Sequence, residues 1–396
     1  MPGGVRTRQQ AVSDETSAAS HRAATVQQVY FRDKYAHLED ASIALDPLPG
    51  FLRLGNPRDG ADVVGMFTGR QWLVDRIDAE ISECVRRNVG GYLLVEADAG
   101  MGKTALAVWL AFDGSRRWPT HATRLASVPA DRVRRNLAAQ IIARWDLAYA
   151  APGGTLPAEA GSPAFLHNLL VKAAQQRDRV APGTAVVLVV DGLDEAPPAE
   201  PGELPFGLPP VLPAGTVIVA LTRPGKRLSQ RLQARVVRID VESDLNRDDL
   251  AAFLRRAAAD DPDIVGALAA AGVAPDRFCR TLMERSEGVW VYAAYVLDQI
   301  RDRQRSPAKI DRLPTGLARY YADSIDRWRS TLPDGWEPVG LPLLATLAAA
   351  RQPLPAGILA SWAGVPLPVG RRLLDPWRPD RQPGSATSDD RGRLDV

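Results

Sequence analysis

The sequence predicts a three-layer α/β fold on a parallel sheet, followed by a helical C-terminal half. Three observations predict it. The apolar, β-branched runs at 185–190 and 216–221 read as strands buried on both faces, as in a parallel sheet. Runs of this kind alternate with segments of helical apolar spacing, the order of βαβ units. From residue 241 onward strand patterns stop and helical ones follow one another.

In chain order, residues 1–45 carry Gly, Arg, Gln, Ser and Ala with little apolar periodicity and are expected to be weakly ordered, apart from a short helix over 25–36. Residues 47–62 read as a Pro/Gly loop. Trp72, Leu73, Val74 and Ile77 have helical spacing. An apolar run at 92–95 reads as the first strand, and 105–110 as the helix after it. A second strand is expected over 121–128. Asp131 stands as the N-cap of a helix over 132–145, with Val133, Leu137, Ile141 and Ile142 on one face. Ser162 caps a helix over 164–179. The seven prolines of 197–213 predict a long surface loop. Residues 235–240 form a last, shorter strand. Asn246 stands as the N-cap of a helix over 247–259. Further helices are expected over 275–284, 289–303 and 315–329, then three short ones over 343–350, 356–363 and 369–374. The tail 376–390 is polar and Pro-rich. No internal repeat is visible. The expected domains are 1–45, 46–240, 241–312 and 313–396.

A chain of 396 residues has room for two or three domains. A net charge of +2 gives no argument for nucleic acid or a membrane surface as partner. Cys84 and Cys279 supply neither a disulfide framework nor zinc spacing, so a reduced, cytoplasmic setting is expected. No apolar run approaches ~18 residues, the length of a membrane-spanning helix, and the N-terminus lacks the apolar stretch of a secretory signal. The four histidines, His21, His37, His121 and His167, are scattered and receive no role.

The chemistry is concentrated in residues 91–104. A strand runs into Ala97-Asp98-Ala99-Gly100-Met101-Gly102-Lys103-Thr104, and a helix-prone stretch starts at Ala105. In such a turn the backbone N–H groups and the helix N-terminus face phosphate oxygens together. Lys103 reaches the β/γ-phosphates and the Thr104 hydroxyl ligates Mg²⁺. The pattern G-x-x-x-x-G-K-[ST] has glycine where this chain has Ala97; alanine preserves the turn if its φ stays negative. A second element is Asp191-Gly192-Leu193-Asp194-Glu195, at the end of the buried run 185–190. An acid at the tip of a buried strand is what a Walker B element needs to hold Mg²⁺. Carboxylates this close together need a cation or water beside them. A third strand ends in Thr222-Arg223. Ligands of open α/β sheets bind at the carboxyl ends of the strands, so these three tips converge on one crevice. The three elements together read as a P-loop NTPase.

Phe67-Thr68-Gly69-Arg70, residues 97–104, the Asp191–Glu195 acidic turn and Leu221-Thr222-Arg223-Pro224, with the helical stretches 285–293 and 313–320, together resemble the STAND class of P-loop NTPases. This is an AAA+-related class, and within it the likeness is to NACHT-like signalling ATPases, over residues 64–375. The resemblance implies roles. Phe67, Gly69 and Arg70 line adenine and ribose. Ala97, Asp98, Ala99, Gly100, Met101, Gly102, Lys103, Thr104 and Ala105 form the nucleotide loop, with Gly100, Gly102 and Lys103 on the phosphates. Asp191 and Thr104 hold the metal. Asp194 and Glu195 polarise the attacking water. Arg223 is a sensor of the γ-phosphate, a role its planar, permanently charged fork suits. The resemblance also implies ATP/ADP and Mg²⁺ as cofactors, slow ATP hydrolysis, and a winged-helix-like lobe after the helical domain. Loss of γ-phosphate contacts would reorient the lobes, which makes the protein a signalling switch. Members of that class carry an effector module and a repeat sensor. Neither is recognisable here, so either the chain is a piece of a longer protein, or protein partners or self-oligomers supply sensing and output.

An alternative is an AAA+ ATPase of the origin-recognition or clamp-loader kind, acting on DNA through a C-terminal winged helix. Residues 341–378 contain only Arg351, Arg371, Arg372 and Arg378 as basic groups, a thin charge for a phosphate backbone, and so nucleic acid is not the expected partner. A non-hydrolysing nucleotide scaffold draws on Ala97, and Lys103, Thr104, Asp191 and Glu195 argue against it. A small-molecule kinase lacks a recognisable lid or acceptor motif.

Overall fold

The computed structural model describes residues 67–112, 116, 118–122, 129–152, 155–197, 199, 203–225, 232–332, 334–350, 354–374 and 393–394. The expectations for 1–62, for strand residues 123–128 and for the tail 376–390 lie outside the described residues. Those described fall into two compact units, the first ending at Asp311 and the second beginning at Arg312.

The first unit is built on five parallel strands: β1 (Gly91–Ala97), β2 (Thr120–Ala122), β3 (Val186–Asp191), β4 (Thr216–Thr222) and β5 (Arg235–Ile239). Their spatial order is β2-β3-β4-β1-β5. The chain leaves β1, crosses to the far edge, steps back through β3 and β4, and then passes over β1 to β5. This reversal beside β1 makes a crevice at the carboxyl ends of the strands. Every residue of β3 and β4 is buried, which explains why both read as continuous apolar runs.

One face of the sheet, with Leu93, Val95, Val187, Val189, Val217, Val219 and Leu221, packs on α1 (Gln71–Arg86) and α2 (Lys103–Phe112) through Leu73, Ile77, Leu106 and Leu110. Alternate residues Leu94, Leu188, Val190, Ile218 and Ala220 turn to the other face and are equally buried. There α3 (Ala130–Arg144) lies on β2 and α4 (Pro163–Val180) on β3. Ser162 caps α4 by accepting from Phe165 N at 3.1 Å. Asp131 does not cap α3: the N-cap position is Pro129, and Asp131 lies inside the first turn, where its charge meets the helix dipole. At the sheet edge Gln140 of α3 reaches β2. Its Oε1 accepts from Thr120 N at 2.8 Å, and its Nε2 donates to Thr120 O at 2.8 Å.

The Pro-rich stretch 197–213 is a surface loop only in part: Glu203, Pro210 and Val211 are exposed, and the residues between them are not. Leu204, Phe206, Leu208 and Leu212 are buried, Tyr92 Oη donates to Pro209 O at 2.6 Å, and Arg134 donates to Phe206 O at 2.5 Å. Proline excludes ladder bonding without excluding burial, and the four apolar side chains between the prolines fill space beside the sheet.

Four helices follow in the same unit: α5 (Asp244–Asp260), α6 (Pro262–Ala271), α7 (Pro275–Ser286) and α8 (Trp290–Arg301). The sequence reading has no counterpart of α6, which starts from Asp261, whose side chain accepts from Asp263 N and Ile264 N, with Pro262 in the first turn. Asn246 is not the cap of α5. Ser243 is, accepting from Asn246 N at 3.2 Å, and Asn246 lies one turn in with its side chain buried.

The second unit comprises α9 (Leu317–Thr331), a π-helical turn (Trp336–Gly340), α10 (Leu341–Ala349), β6 (Leu354–Pro355), α11 (Ala356–Trp362), α12 (Leu367–Leu374) and β7 (Arg393–Leu394). The β6–β7 ladder is antiparallel, and Leu343, Leu354, Ala356, Leu359, Val365 and Leu374 form a small core. The described part of this lobe thus consists of helices and one short two-stranded ladder. Among the described residues no helix is long and apolar enough to cross a membrane.

Candidate functional site

The interior strand β1 ends at Ala97, which is buried and extended and pairs with Ile239 of β5. The turn after it is made by Gly100 at φ 78 and Gly102 at φ 82, and α2 begins at Lys103. Lys103 Nζ donates back to Ala97 O at 2.7 Å and Asp98 O at 2.8 Å, so the ammonium lies against the loop. Among the described residues the N–H groups of Gly100, Met101, Gly102 and Lys103 donate to no backbone carbonyl. They form, with the start of α2, a set of donors suited to phosphate. A Cβ built on Gly102 would meet nothing within 4 Å, which marks that face of the loop as open.

Thr104 Oγ1 donates to Asp191 Oδ2 at 2.6 Å, joining the helix after the loop to the tip of β3. Asp191 is buried, and burial pushes its carboxyl up to about 6, against the Thr104 hydrogen bond and Lys103, which lower it. Burial also lowers the Lys103 ammonium from its ordinary value, opposed by Asp191 and Asp194. A hydroxyl and a carboxylate oxygen are hard donors of the kind Mg²⁺ takes when phosphates and waters complete its shell. Among the described residues no group of three or more His, Cys, Asp or Glu could hold a metal unaided. The two oxygens therefore fit a cation shared with a phosphate ligand.

Gly192, at φ 73, turns the chain out of β3 into a short 3-10 turn over Leu193–Glu195. There Asp194 commits both carboxylate oxygens to Arg223 at the tip of β4: Oδ1 accepts from the backbone N at 3.1 Å, and Oδ2 lies 3.5 Å from Nε. Glu195 Oε1 is 3.7 Å from the same guanidinium. Burial first, and Asp194 second, raise the Glu195 carboxyl against Arg223 and Lys103. The structure thus brings Lys103, Thr104, Asp191, Asp194, Glu195 and Arg223 to three neighbouring tips. Within that group Asp194 is the carboxylate with both oxygens turned to Arg223, whereas Glu195 meets the same guanidinium through one oxygen at the longer distance.

The Phe67–Arg70 element sits differently from the rest. The Phe67 ring stacks on Trp109 of α2, centroids 5.1 Å apart. Gly69 (φ 78) and Arg70 (φ 63) are successive left-handed residues, and a Cβ on Gly69 would meet the Asp249 side chain at 2.8 Å. This turn sends the Arg70 side chain inward, where the residue is only 4% exposed. Its NH2 donates to Met101 O at 3.2 Å and to Asn246 Oδ1 at 2.9 Å, its NH1 is 3.9 Å from Asp249 Oδ2, and its guanidinium carbon lies 4.8 Å from the Trp290 ring centroid. Burial lowers the guanidinium to about 10, with Asp249 acting the other way.

Residues absent from the sequence reading of the site join here. Asn246 uses its whole amide: Oδ1 accepts from Arg70 and from Trp290 Nε1 at 2.9 Å, and Nδ2 donates to Val241 O at 2.9 Å and Gly288 O at 3.0 Å. Val291 N donates to Gly100 O at 3.0 Å. A Cβ on Gly100 would lie 2.5 Å from Val291 Cγ1. An asparagine on the apolar side of an amphipathic helix is the signal that points to such a residue, since a buried amide needs partners.

No family model and no curated protein matches this chain. Among solved structures it is similar to the RuvB protein of Thermotoga maritima. A lysine-to-arginine mutant has a TM-score of 0.33 at 15% identity, an alanine-to-serine mutant 0.32 at 14%, and a structure described as the Holliday junction branch migration motor 0.31 at 16%. Each comparison covers 83% of this chain and 93% of the other. Scores this low carry no argument about function, and the fold stands on the sheet order and loop geometry given above.

Proposed function

We propose that this protein binds ATP and ADP with Mg²⁺ and is a slow ATPase whose nucleotide state is read by its helical segment, a signalling switch of the STAND/NACHT kind. The observation that carries the reading is the Thr104–Asp191 hydrogen bond at 2.6 Å. It joins the loop whose N–H groups donate to no backbone carbonyl among the described residues to an acidic strand tip, with Arg223 on the strand between them. The loop N–H groups and Lys103 hold the phosphates. Thr104 and Asp191 hold the cation, which when bound offsets charge on the phosphate oxygens. Arg223 senses the terminal phosphate. Asp194 orients Arg223, so Glu195 is the group that accepts the proton of the attacking water. Its raised carboxyl is suited to that task at neutral pH. The switch half of the proposal draws support from the bond between Val291 N and Gly100 O, a direct tie from loop to helix.

Two variants test it. Lys103→Ala abolishes ADP binding in calorimetric titration. Glu195→Gln keeps binding and lowers the hydrolysis rate at least a hundredfold, the scale of a lost general base. Parent-like affinity in the first variant removes the loop assignment; parent-like turnover in the second removes Glu195 as base. Steeply salt-dependent duplex DNA binding by the full chain would instead favour the DNA-acting AAA+ reading.

A further inference from the structure

The Arg70 side chain is poorly placed to be a nucleotide ligand and well placed to be something else. It is buried, it leaves a backbone turn that is unfavourable for any residue but glycine, and its donors are directed at protein acceptors on two separate elements. One is Met101 O, inside the phosphate loop. The other is Asn246 Oδ1 on α5, which also accepts from Trp290 at the start of α8. The Trp290 ring lies beside the guanidinium at a cation–π distance, and Trp290 also packs against Phe253 of α5, ring centroids 5.3 Å apart. Asp249 completes the cage: Trp72 Nε1 donates to its Oδ2 at 2.9 Å, and its side chain packs against Gly69. A left-handed arginine persists only when its surroundings hold it there, and here they do.

We propose that Arg70 is a positioning residue that couples the phosphate loop to the helical segment, acting through Met101 O on one side and the Asn246–Trp290 pair on the other. This rests on the nucleotide-switch reading above and names its transmitting part. Phosphate binding draws the loop N–H groups outward toward the ligand, and the peptide units of that loop carry Gly100 O and Met101 O on their inner side. A change in the tilt of those peptides shifts two acceptors that Val291 N and Arg70 hold. Asn246 has no spare valence, so movement of Arg70 is passed to Trp290 and not absorbed by the amide. Both bonds leave NH2, whose two N–H groups take one acceptor each, while the guanidinium plane lies beside the indole and NH1 lies toward Asp249; lysine's compact, freely rotating ammonium has neither the fixed directions of those two N–H groups nor the second nitrogen.

The test is hydrogen–deuterium exchange on the full chain with and without Mg-ADP. In the parent, nucleotide slows amide exchange at least tenfold in residues 97–104 and also in 290–301. In Arg70→Lys the slowing at 97–104 persists, while that at 290–301 falls below threefold. Trp290→Phe, which removes the N–H held by Asn246 and narrows the ring while keeping an aromatic face, diminishes the 290–301 response in the same direction; it decides alone if Arg70→Lys does not fold. A merely structural arginine would lower stability and leave the nucleotide-dependent difference intact. Retention of the tenfold response at 290–301 in the variants overturns the proposal. So does a loss of ADP affinity beyond thirtyfold in Arg70→Lys, the mark of a direct ligand. Absence of any ADP binding by the parent would instead defeat the nucleotide reading itself, and parental slowing at 97–104 without slowing at 290–301 defeats the coupling alone.

Discussion

The two glycines of the phosphate loop share a backbone conformation and differ in everything around them. Gly102 has φ 82 with nothing near its missing Cβ; Gly100 has φ 78 with Val291 and Val289 pressed against it. Two residues apart, the loop presents one side to ligand and the other to the helices that follow the sheet. A glycine can be required because the chain must turn, or because something lies where a side chain would be. Gly100 answers both requirements, Gly102 only the first.

The largest effect expected from this contrast is at Gly100. Gly100→Ala carries the left-handed penalty of about 1–2 kcal/mol together with overpacking against Val291 of about 1–3 kcal/mol. Its destabilisation, measured by urea unfolding, is about 2–5 kcal/mol. Equal losses for Gly100→Ala and Gly102→Ala would erase the distinction between the two faces.

Acid supplies a comparison of similar size away from the loop. His121 is buried on β2 beside Phe206, neither ring nitrogen has a hydrogen-bond partner among the described residues, and burial lowers its pKa to about 4. The unfolded chain, with an ordinary histidine near 6.5, binds the proton more readily than the folded one. The stability this group permits is therefore complete above pH 6.5 and is lost as pH falls toward 4, to a limit of about 3 kcal/mol. His121→Phe removes that part of the acid sensitivity in a pH series of denaturation midpoints. An unchanged pH profile would locate the sensitivity elsewhere.

Gly102→Ala should lie lower, at about 1–2 kcal/mol, since only the conformation opposes it. The smallest effect belongs to Ala97. It is extended inside β1, so the departure from the G-x-x-x-x-G-K-[ST] pattern imposes no strain. Ala97→Gly gains no conformational relief, destabilises by about 0.5–1 kcal/mol through backbone entropy, and leaves ADP affinity within threefold. A tighter complex would mean that the alanine does strain the loop.

The interior strands β1, β3 and β4 were legible because a parallel sheet covered on both faces writes itself as uninterrupted apolar runs. The acidic tip at Asp191 and the loop at Lys103 were legible because their chemistry is local. What the sequence concealed depends on distant partners. Asn246 and Ser243 are both good capping residues three positions apart, and only the burial of Asn246 between Val241, Gly288, Arg70 and Trp290 separates them. Arg70 follows a glycine in a motif, and nothing in its neighbours announces a left-handed turn that points it inward. The prolines around Phe206 concealed a buried apolar segment, because proline density reads as exposure.

Gln140 has a consequence for assembly. Its amide gives Thr120 one acceptor and one donor, what a neighbouring backbone would give at that point in the ladder. Among the described residues the sheet therefore ends at β2 against a side chain that mimics the next chain, and an extended peptide seeking to join there finds the position taken. The opposite margin, β5, is guarded by charge instead, with Arg235 held by Glu80 and Arg238 by Glu96. Among the described residues one border of this sheet is sealed by imitation and the other by ionic side chains, so two copies can pair edge to edge along β2 only once Gln140 is displaced.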